Sequence, residues 1–346
     1  MRVRGLGRLK MTLARIRGQL APGPIVLLYH RVVNIQRDPH LLAVAPEHFE
    51  EHLLALQRHF QTISLGELTK CLARGKHLGS MVAITFDDGY ADNSETVLPL
   101  LAKHDIPATF YLTSGFVGTT RENLHDDLER LVLLSTHCPS QLSLNVGGRP
   151  FNWTMQLQDT GSTIATSIAG WNMESRTNPT PRHRAHRDIF NLLRPLSPVE
   201  RESVLDQLRA QCGDPGGSRS THQAMSWDQV RRMARCELIE LGAHTVNHPC
   251  LSMLSLPEQR MEIRESKQVL EEQIGRSVVS FAYPYGTRRS YTAETVSLLK
   301  ELGFANACSN FRERIGHRTD LFQLPRFIVR NWDGDEFLRQ LRRGRL

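Results

Sequence analysis

The sequence predicts an α/β fold, a closed or nearly closed barrel of about seven βα units interrupted by a long insertion. Short apolar runs alternate with segments of helical periodicity along most of the 346 residues, a pattern typical of βα units and a parallel sheet. The alternation stops between about residues 120 and 225, where polar stretches and further helices follow instead. The chain is longer than one compact core usually needs, which also favours a domain with an insertion.

The first units of the barrel are marked by continuous apolar runs. Residues 24–30, 81–86 and 108–112 are predicted as buried strands because they are short and uninterrupted by polar residues. Helices are predicted over Pro46–Phe60, where proline suits the first turn, and over roughly Ser94–His104.

The same alternation resumes after the insertion. A helix is predicted over Trp227–Arg235 after an N-cap at Ser226, and a long helix runs from Pro257 until Gly275 ends it. The remaining predicted elements are the strands Leu238–Gly242, Val278–Ala282, Phe304–Cys308 and Leu324–Val329 and the helix Thr292–Leu302.

The insertion, residues 120–225, has helices and a hairpin of its own. The predicted elements are a helix over His125–Leu134, a hairpin of Leu142–Val146 and Arg149–Trp153 around two glycines, and helices over His186–Leu196 and Val199–Cys212. Long loops inserted into barrels usually shape access to the substrate.

The two ends of the chain carry the excess of positive charge. Residues 1–23 hold six basic residues and no acid, and their apolar residues share one helical face: Leu6, Leu9, Leu13, Ile16 and Leu20. Such a segment is either a membrane-surface anchor or a solvated leader. Residues 337–346 form a second basic tail, and 24–336 are assigned to the barrel domain.

Several classes and locations are disfavoured by composition. No apolar stretch reaches 18 residues, no h-region follows the N-terminal arginines, and the six cysteines are scattered. These features predict free thiols and a cytoplasmic protein, peripheral at the inner face of the membrane if the N-terminal segment binds lipid. Nucleic-acid binding ranks last, because the charge lies at the ends and no nucleic-acid motif is present.

The strongest chemical signal is Thr-Phe-Asp-Asp-Gly-Tyr at the end of the predicted strand 81–86. Adjacent carboxylates, here Asp87 and Asp88, are costly at a buried strand end unless a cation or a proton compensates them. Their side chains point differently, so one can bind a metal while the other handles a proton. Asp-Asp-Gly is also common turn chemistry.

Two further motifs follow later strands. His244 and His248 are four residues apart just after the strand 238–242, a spacing that lets both bind one metal ion. An aspartate with two histidines leaves coordination positions open, as catalytic metal sites do. The third motif is a Tyr-Pro-Tyr-Gly turn around Tyr285, which can aim a backbone N–H at a developing oxyanion. All three motifs are predicted at the edge where barrel active sites form.

In this order, the three motifs resemble the polysaccharide deacetylase family, also called the NodB-homology or carbohydrate esterase family 4 proteins. The resemblance covers roughly residues 24–118 and 225–330, and Tyr29-His30-Arg31 with Tyr283-Pro284 resembles the branch that includes poly-N-acetylglucosamine deacetylases. It implies a distorted βα barrel and a divalent metal, usually zinc, although cobalt or another ion is possible.

The resemblance also implies roles for individual residues. Asp87 matches the general base, and Asp88, His244 and His248 match the metal ligands. The backbone N–H of Tyr285 matches the oxyanion donor.

The chain departs from the family pattern at two positions. The arginine that orients the catalytic aspartate in many members is replaced by Ala282, and Arg326 is the substitute predicted here. The histidine near the C-terminus that serves as general acid is missing from 324–329. His30 is the first candidate for the acid and His317 the second, and each is otherwise a structural or solvated histidine.

The resemblance therefore implies a metal-dependent hydrolase that removes N-acetyl groups from an N-acetylhexosamine-containing glycan or lipid-linked sugar and releases acetate. Two alternatives stay open. One is a non-catalytic glycan-binding pseudoenzyme, suggested by the missing motif residues. The other is a hydrolase of another small C–N substrate.

Overall fold

A computed structural model describes residues 23–75, 79–155, 170–213 and 217–344. The predicted N-terminal amphipathic segment lies outside these residues, apart from Gly23. Within them, no helix combines the length and the apolar character that crossing a membrane requires.

Twelve strands are described, most of them in one parallel sheet. They are β1 (Ile25–Tyr29), β2 (Arg31–Val32), β3 (Ala43–Val44), β4 (Gln61–Thr62), β5 (Met81–Phe86), β6 (Ala108–Leu112), β7 (Gln141–Val146), β8 (Arg149–Thr154), β9 (Ile239–Ala243), β10 (Ser280–Ala282), β11 (Asn306–Cys308) and β12 (Phe327–Ile328). The main sheet has the order β11-β10-β9-β6-β5-β1-β12, and β4 also pairs with β5. An isolated parallel bridge between Cys308 and Leu324 links the two ends of this order. The sheet is thus a distorted, nearly closed barrel, whose two ends approach each other at this bridge.

Helices cover the outside of the sheet and build the insertion. They are α1 (Pro46–His59), α2 (Leu65–Ala73), α3 (Leu98–Lys103), α4 (Leu124–Leu128), α5 (Pro181–Leu193), α6 (Pro198–Cys212), α7 (Trp227–Ala234), α8 (Leu256–Ile274), α9 (Ala293–Glu301) and α10 (Gly334–Gly344). A π-helical turn precedes α3 and another continues α4. Capping follows the sequence, since Ser226 accepts a hydrogen bond from the Gln229 N–H and Gly275 ends α8 with φ 68°.

Most predicted elements are present, with differences in their bounds. The segment predicted as the strand 324–329 forms β12 over two residues only, because Pro325 has no N–H to give to a ladder. Helix α5 begins at Pro181, five residues before the predicted start, where Thr180 caps it. Helix α2 was not predicted.

The insertion has its own hydrophobic core, separate from that of the barrel. Buried apolar residues of α4, β7, α5 and α6 pack together, among them Leu128, Leu144, Ile189 and Leu208. The barrel core includes Phe86 and Phe110, whose rings stack at a centroid distance of 4.8 Å. The insertion is therefore a folded subdomain of the chain and not an extended loop.

The segment separated above as a basic tail contains most of α10. Phe337 and Leu341 are fully buried in the barrel core, and the Phe337 ring stacks on His52 of α1 at 4.1 Å. Arg339, Arg342 and Arg343 thus lie on a helix that is anchored to the barrel.

Candidate active site

The predicted site residues come together at one edge of the sheet. Asp87 and Asp88 follow β5, and His244 and His248 follow β9. Tyr285 follows β10. Because carboxyl ends of parallel strands share one edge, residues nearly 200 positions apart become neighbours.

Asp88, His244 and His248 form a group that fits a metal ion. Their ligand atoms all lie within 4.8 Å of one another, and Asp88 Oδ1 is 3.5 Å from the Nε2 atom of each histidine. Two ligands of one tetrahedral zinc ion stand about 3.4 Å apart, given ligand bonds of about 2.1 Å. Asp88 Oδ1 is buried without a hydrogen-bond partner, which a bound cation would compensate. The donor set therefore suits zinc or a similar divalent ion.

The histidines present the ring atom that a metal needs. His244 Nδ1 donates a hydrogen bond to the Ala282 carbonyl at 2.7 Å, which leaves Nε2 as the atom that faces Asp88. Burial lowers the pKa of His248 to about 3, so this ring is neutral. A neutral imidazole is the form that binds metal.

The loop that carries His248 is held from two sides. Glu262 of α8 accepts hydrogen bonds from the N–H groups of Val246 and Asn247, both at 2.9 Å. Arg201 of α6, in the insertion, donates to the carbonyl oxygens of Asn247 and His248, the latter at 3.1 Å. His248 has φ 53°, a conformation that costs a non-glycine residue energy and that these contacts maintain. The insertion thus helps to shape the metal-binding loop.

Asp87 forms a buried ion pair with Arg326. The two guanidinium nitrogens donate to the two carboxylate oxygens at 2.7 and 2.6 Å, and both residues are at most 2% exposed. Burial raises the pKa of Asp87, but the charge of Arg326 and smaller electrostatic contributions lower it by more. The net pKa therefore lies below its ordinary value. Arg326 holds Asp87 ionised beside the metal ligands, as a base requires. The structure places Arg326 where the sequence analysis predicted an orienting residue.

Asn310, which the sequence did not single out, connects this pair to the Tyr285 turn. Its side-chain oxygen accepts from Arg326 at 2.6 Å, and its Nδ2 donates to the Tyr285 carbonyl at 3.1 Å. The Tyr285 ring packs edge-on against His248 with centroids 4.8 Å apart. The turn is therefore fixed relative to both Asp87 and the metal group.

The two candidate acids differ in position. His30, after β1, is partly buried within the electrostatic range of Asp87 and Asp88, and burial lowers its pKa. His317 is solvent-exposed in the loop between β11 and β12. Of these two candidates, His30 is the one that lies beside the carboxylates, and its role as the acid stays a prediction.

A further histidine, His125, was missed as a site residue. It lies in α4 of the insertion, and its Nε2 atom is hydrogen-bonded to the Tyr90 hydroxyl at 2.7 Å. It also lines a small pocket together with His248 and Tyr285. Its sequence context is an ordinary helix, so only the docking of the insertion could reveal it.

Comparisons with known proteins agree with this geometry. Residues 74–143 and 214–307 match the family model described as polysaccharide deacetylase. Over 126 residues the chain is 29% identical to YxkH of Bacillus subtilis (strain 168), a protein assigned to the same family; this covers 35% of the chain and 44% of YxkH, less than half its length.

Two solved structures share the fold. The Streptococcus pyogenes deacetylase PplD, in complex with acetate, has a TM-score of 0.55 and 17% identity over 91% of this chain and 96% of its own. IcaB from Ammonifex degensii has a TM-score of 0.56 and 19% identity over 94% and 98%. The chain shares the βα-barrel fold of these proteins, and its two matching stretches, just under half of the chain, form a polysaccharide deacetylase family domain.

Proposed function

We propose that this protein is a metal-dependent hydrolase that removes the N-acetyl group from an N-acetylhexosamine-containing glycan or glycan precursor and releases acetate. The observation that carries the proposal is the group Asp88, His244 and His248 beside the buried pair of Asp87 and Arg326. A metal-binding group next to an ionised, oriented carboxylate is what water-driven hydrolysis of an amide requires.

The chain's own residues divide the reaction among them. Asp88, His244 and His248 would hold the divalent ion, which when bound supplies a Lewis acid and lowers the pKa of water. Asp87 accepts the proton of the attacking water, and Arg326 keeps its carboxylate in place. The Tyr285 N–H stabilises the oxyanion, and His30 donates a proton to the leaving amine.

The pseudoenzyme alternative rests on the missing motif residues, namely the family arginine replaced by Ala282 and the general-acid histidine absent from 324–329. Arg326 supports catalysis instead, because its guanidinium reaches the Asp87 carboxylate with a two-pronged contact from just before β12. No feature of the described residues favours a different C–N substrate over an acetylated sugar.

The test is acetate release from N-acetylglucosamine oligomers by protein stripped of metal and reloaded with zinc or cobalt. Asp87→Asn should bind metal as the parent does and lose turnover by about a hundredfold or more. The matched control is Asp228→Asn, an exposed aspartate of α7 paired with Arg231, which should leave turnover unchanged. Failure to bind a metal, or full activity of Asp87→Asn, would refute the proposal.

A further inference from the structure

Two arginines of the insertion lie against active-site residues without a carboxylate partner among the residues that the structure describes. They are Arg194, which caps the end of α5, and Arg201 in α6. Arg201 is buried and Arg194 is partly exposed. Because arginine is rarely buried unless it is paired, the absence of a counter-charge at Arg201 needs an explanation.

Arg201 is the inner of the two. It is 4% exposed and lines the pocket that His248 and Tyr285 also line. It donates hydrogen bonds to two backbone carbonyls, those of Asn247 and His248. Carbonyl dipoles orient the guanidinium, but they do not neutralise its charge.

Arg194 is the outer one. Its guanidinium lies over the Tyr285 ring, 4.5 Å from the ring centroid. The same Tyr285 ring packs edge-on against His248. Its Nε atom is buried and has no hydrogen-bond partner. This donor is left for a group that the described residues do not supply.

The acids that line the same pocket are already paired. Glu122 binds Arg219 at 3.0 Å, and Asp127 binds Arg209 at 2.8 Å. The third acid, Glu202, also binds Arg209, at 2.7 Å. Arg194 and Arg201 therefore form no ion pair with these acids, which other arginines hold.

We propose that Arg194 and Arg201 form a subsite for an anionic group of the substrate, a phosphate or a carboxylate, carried by the acetylated sugar or by its neighbour. Guanidinium groups bind both anions through charged hydrogen bonds. Because the Tyr285 ring lies between Arg194 and the metal ligand His248, the anion lies beside the reacting sugar and not on the acetyl group. This inference rests on the proposed deacetylase function and narrows it to acidic or phosphorylated glycans.

The experiment compares three substrates of the metal-loaded protein: neutral N-acetylglucosamine oligomers, UDP-N-acetylglucosamine and hyaluronan tetrasaccharide. The parent should have a kcat/KM for one of the charged substrates at least about tenfold above that for the neutral oligomers, the size of one charge-assisted hydrogen bond. Preference for the nucleotide sugar identifies phosphate, and preference for hyaluronan identifies carboxylate. Arg194→Gln should lower that preference about tenfold by raising KM for the charged substrate, and Arg194→Glu should lower it further. The control is Arg184→Gln, an exposed arginine of the same helix paired with Asp188.

A second measurement separates failure of this inference from failure of the deacetylase proposal. Calorimetry measures binding of pyrophosphate and of hyaluronan tetrasaccharide to metal-free protein, so that turnover is not needed. Binding that weakens in Arg194→Gln but not in Arg184→Gln supports the subsite even if no substrate is deacetylated. Equal use of neutral and charged substrates, or equal binding by both variants, overturns it.

Discussion

Removal of the Arg326 guanidinium is expected to damage both the stability and the chemistry of the site. Arg326 is 2% exposed and donates to Asp87 twice, to the Ser309 carbonyl at 3.0 Å and to Asn310. Arg326→Met keeps the apolar stem but leaves the Asp87 carboxylate buried without its guanidinium partner. Breaking one side of a buried ion pair costs about 3–5 kcal/mol. The free energy of unfolding should fall by that amount.

A double-mutant cycle isolates the pair from the rest of the change. Asp87→Asn alone strands the Arg326 charge, and the double variant Asp87→Asn with Arg326→Met removes both charges together. The double variant should therefore be more stable than the sum of the single losses predicts, by about 2–3 kcal/mol. Urea unfolding of the four proteins at pH 7 measures this coupling.

Activity provides an independent check of the same pair. Without Arg326, the burial that raises the pKa of Asp87 is less opposed, so the acidic limb of the kcat/KM profile should move to higher pH. Arg326→Lys keeps the charge but loses the two-pronged contact, and should recover stability more than turnover. Additive stability losses together with an unshifted acidic limb would refute the role assigned to Arg326.

Three further outcomes are expected. His248→Ala should weaken zinc binding by at least about tenfold, measured by competition with a chelator, whereas His317→Ala should leave it unchanged. His186 is fully buried with both ring nitrogens unpartnered, and burial lowers its pKa to about 3. The unfolded chain protonates His186 near pH 6.5, whereas the folded chain does not. The free energy of unfolding should therefore be at its full value above pH 6.5 and fall by about 2 kcal/mol by pH 5. His186→Leu should show a shallower fall in urea unfolding. Gly242→Ala would place a Cβ atom 2.5 Å from the Tyr111 ring and should cost about 1–3 kcal/mol in the same assay, while Gly316→Ala, with open space around it, should cost far less.

The sequence by itself determined the βα alternation and the four polar residues that follow β5 and β9. Both are local signals: apolar runs identify strands, and Asp87, Asp88, His244 and His248 stand directly at strand ends. Parallel strands carry such residues to one edge in any barrel, so their proximity follows from the fold class.

Only the tertiary structure decided which distant side chains complete the site. Arg326 reaches Asp87 because β12 lies beside β1 and the chain returns to that edge. Asn310 lies in a loop with no motif, and Arg201 and His125 belong to helices of the insertion, where their sequence context is ordinary. Their roles depend on how the insertion docks on the barrel, which is set by contacts between residues far apart in the chain and leaves no periodic trace in the sequence. The same reason explains the end of the chain, where α10 presents basic residues to solvent but buries Phe337 and Leu341 against the barrel.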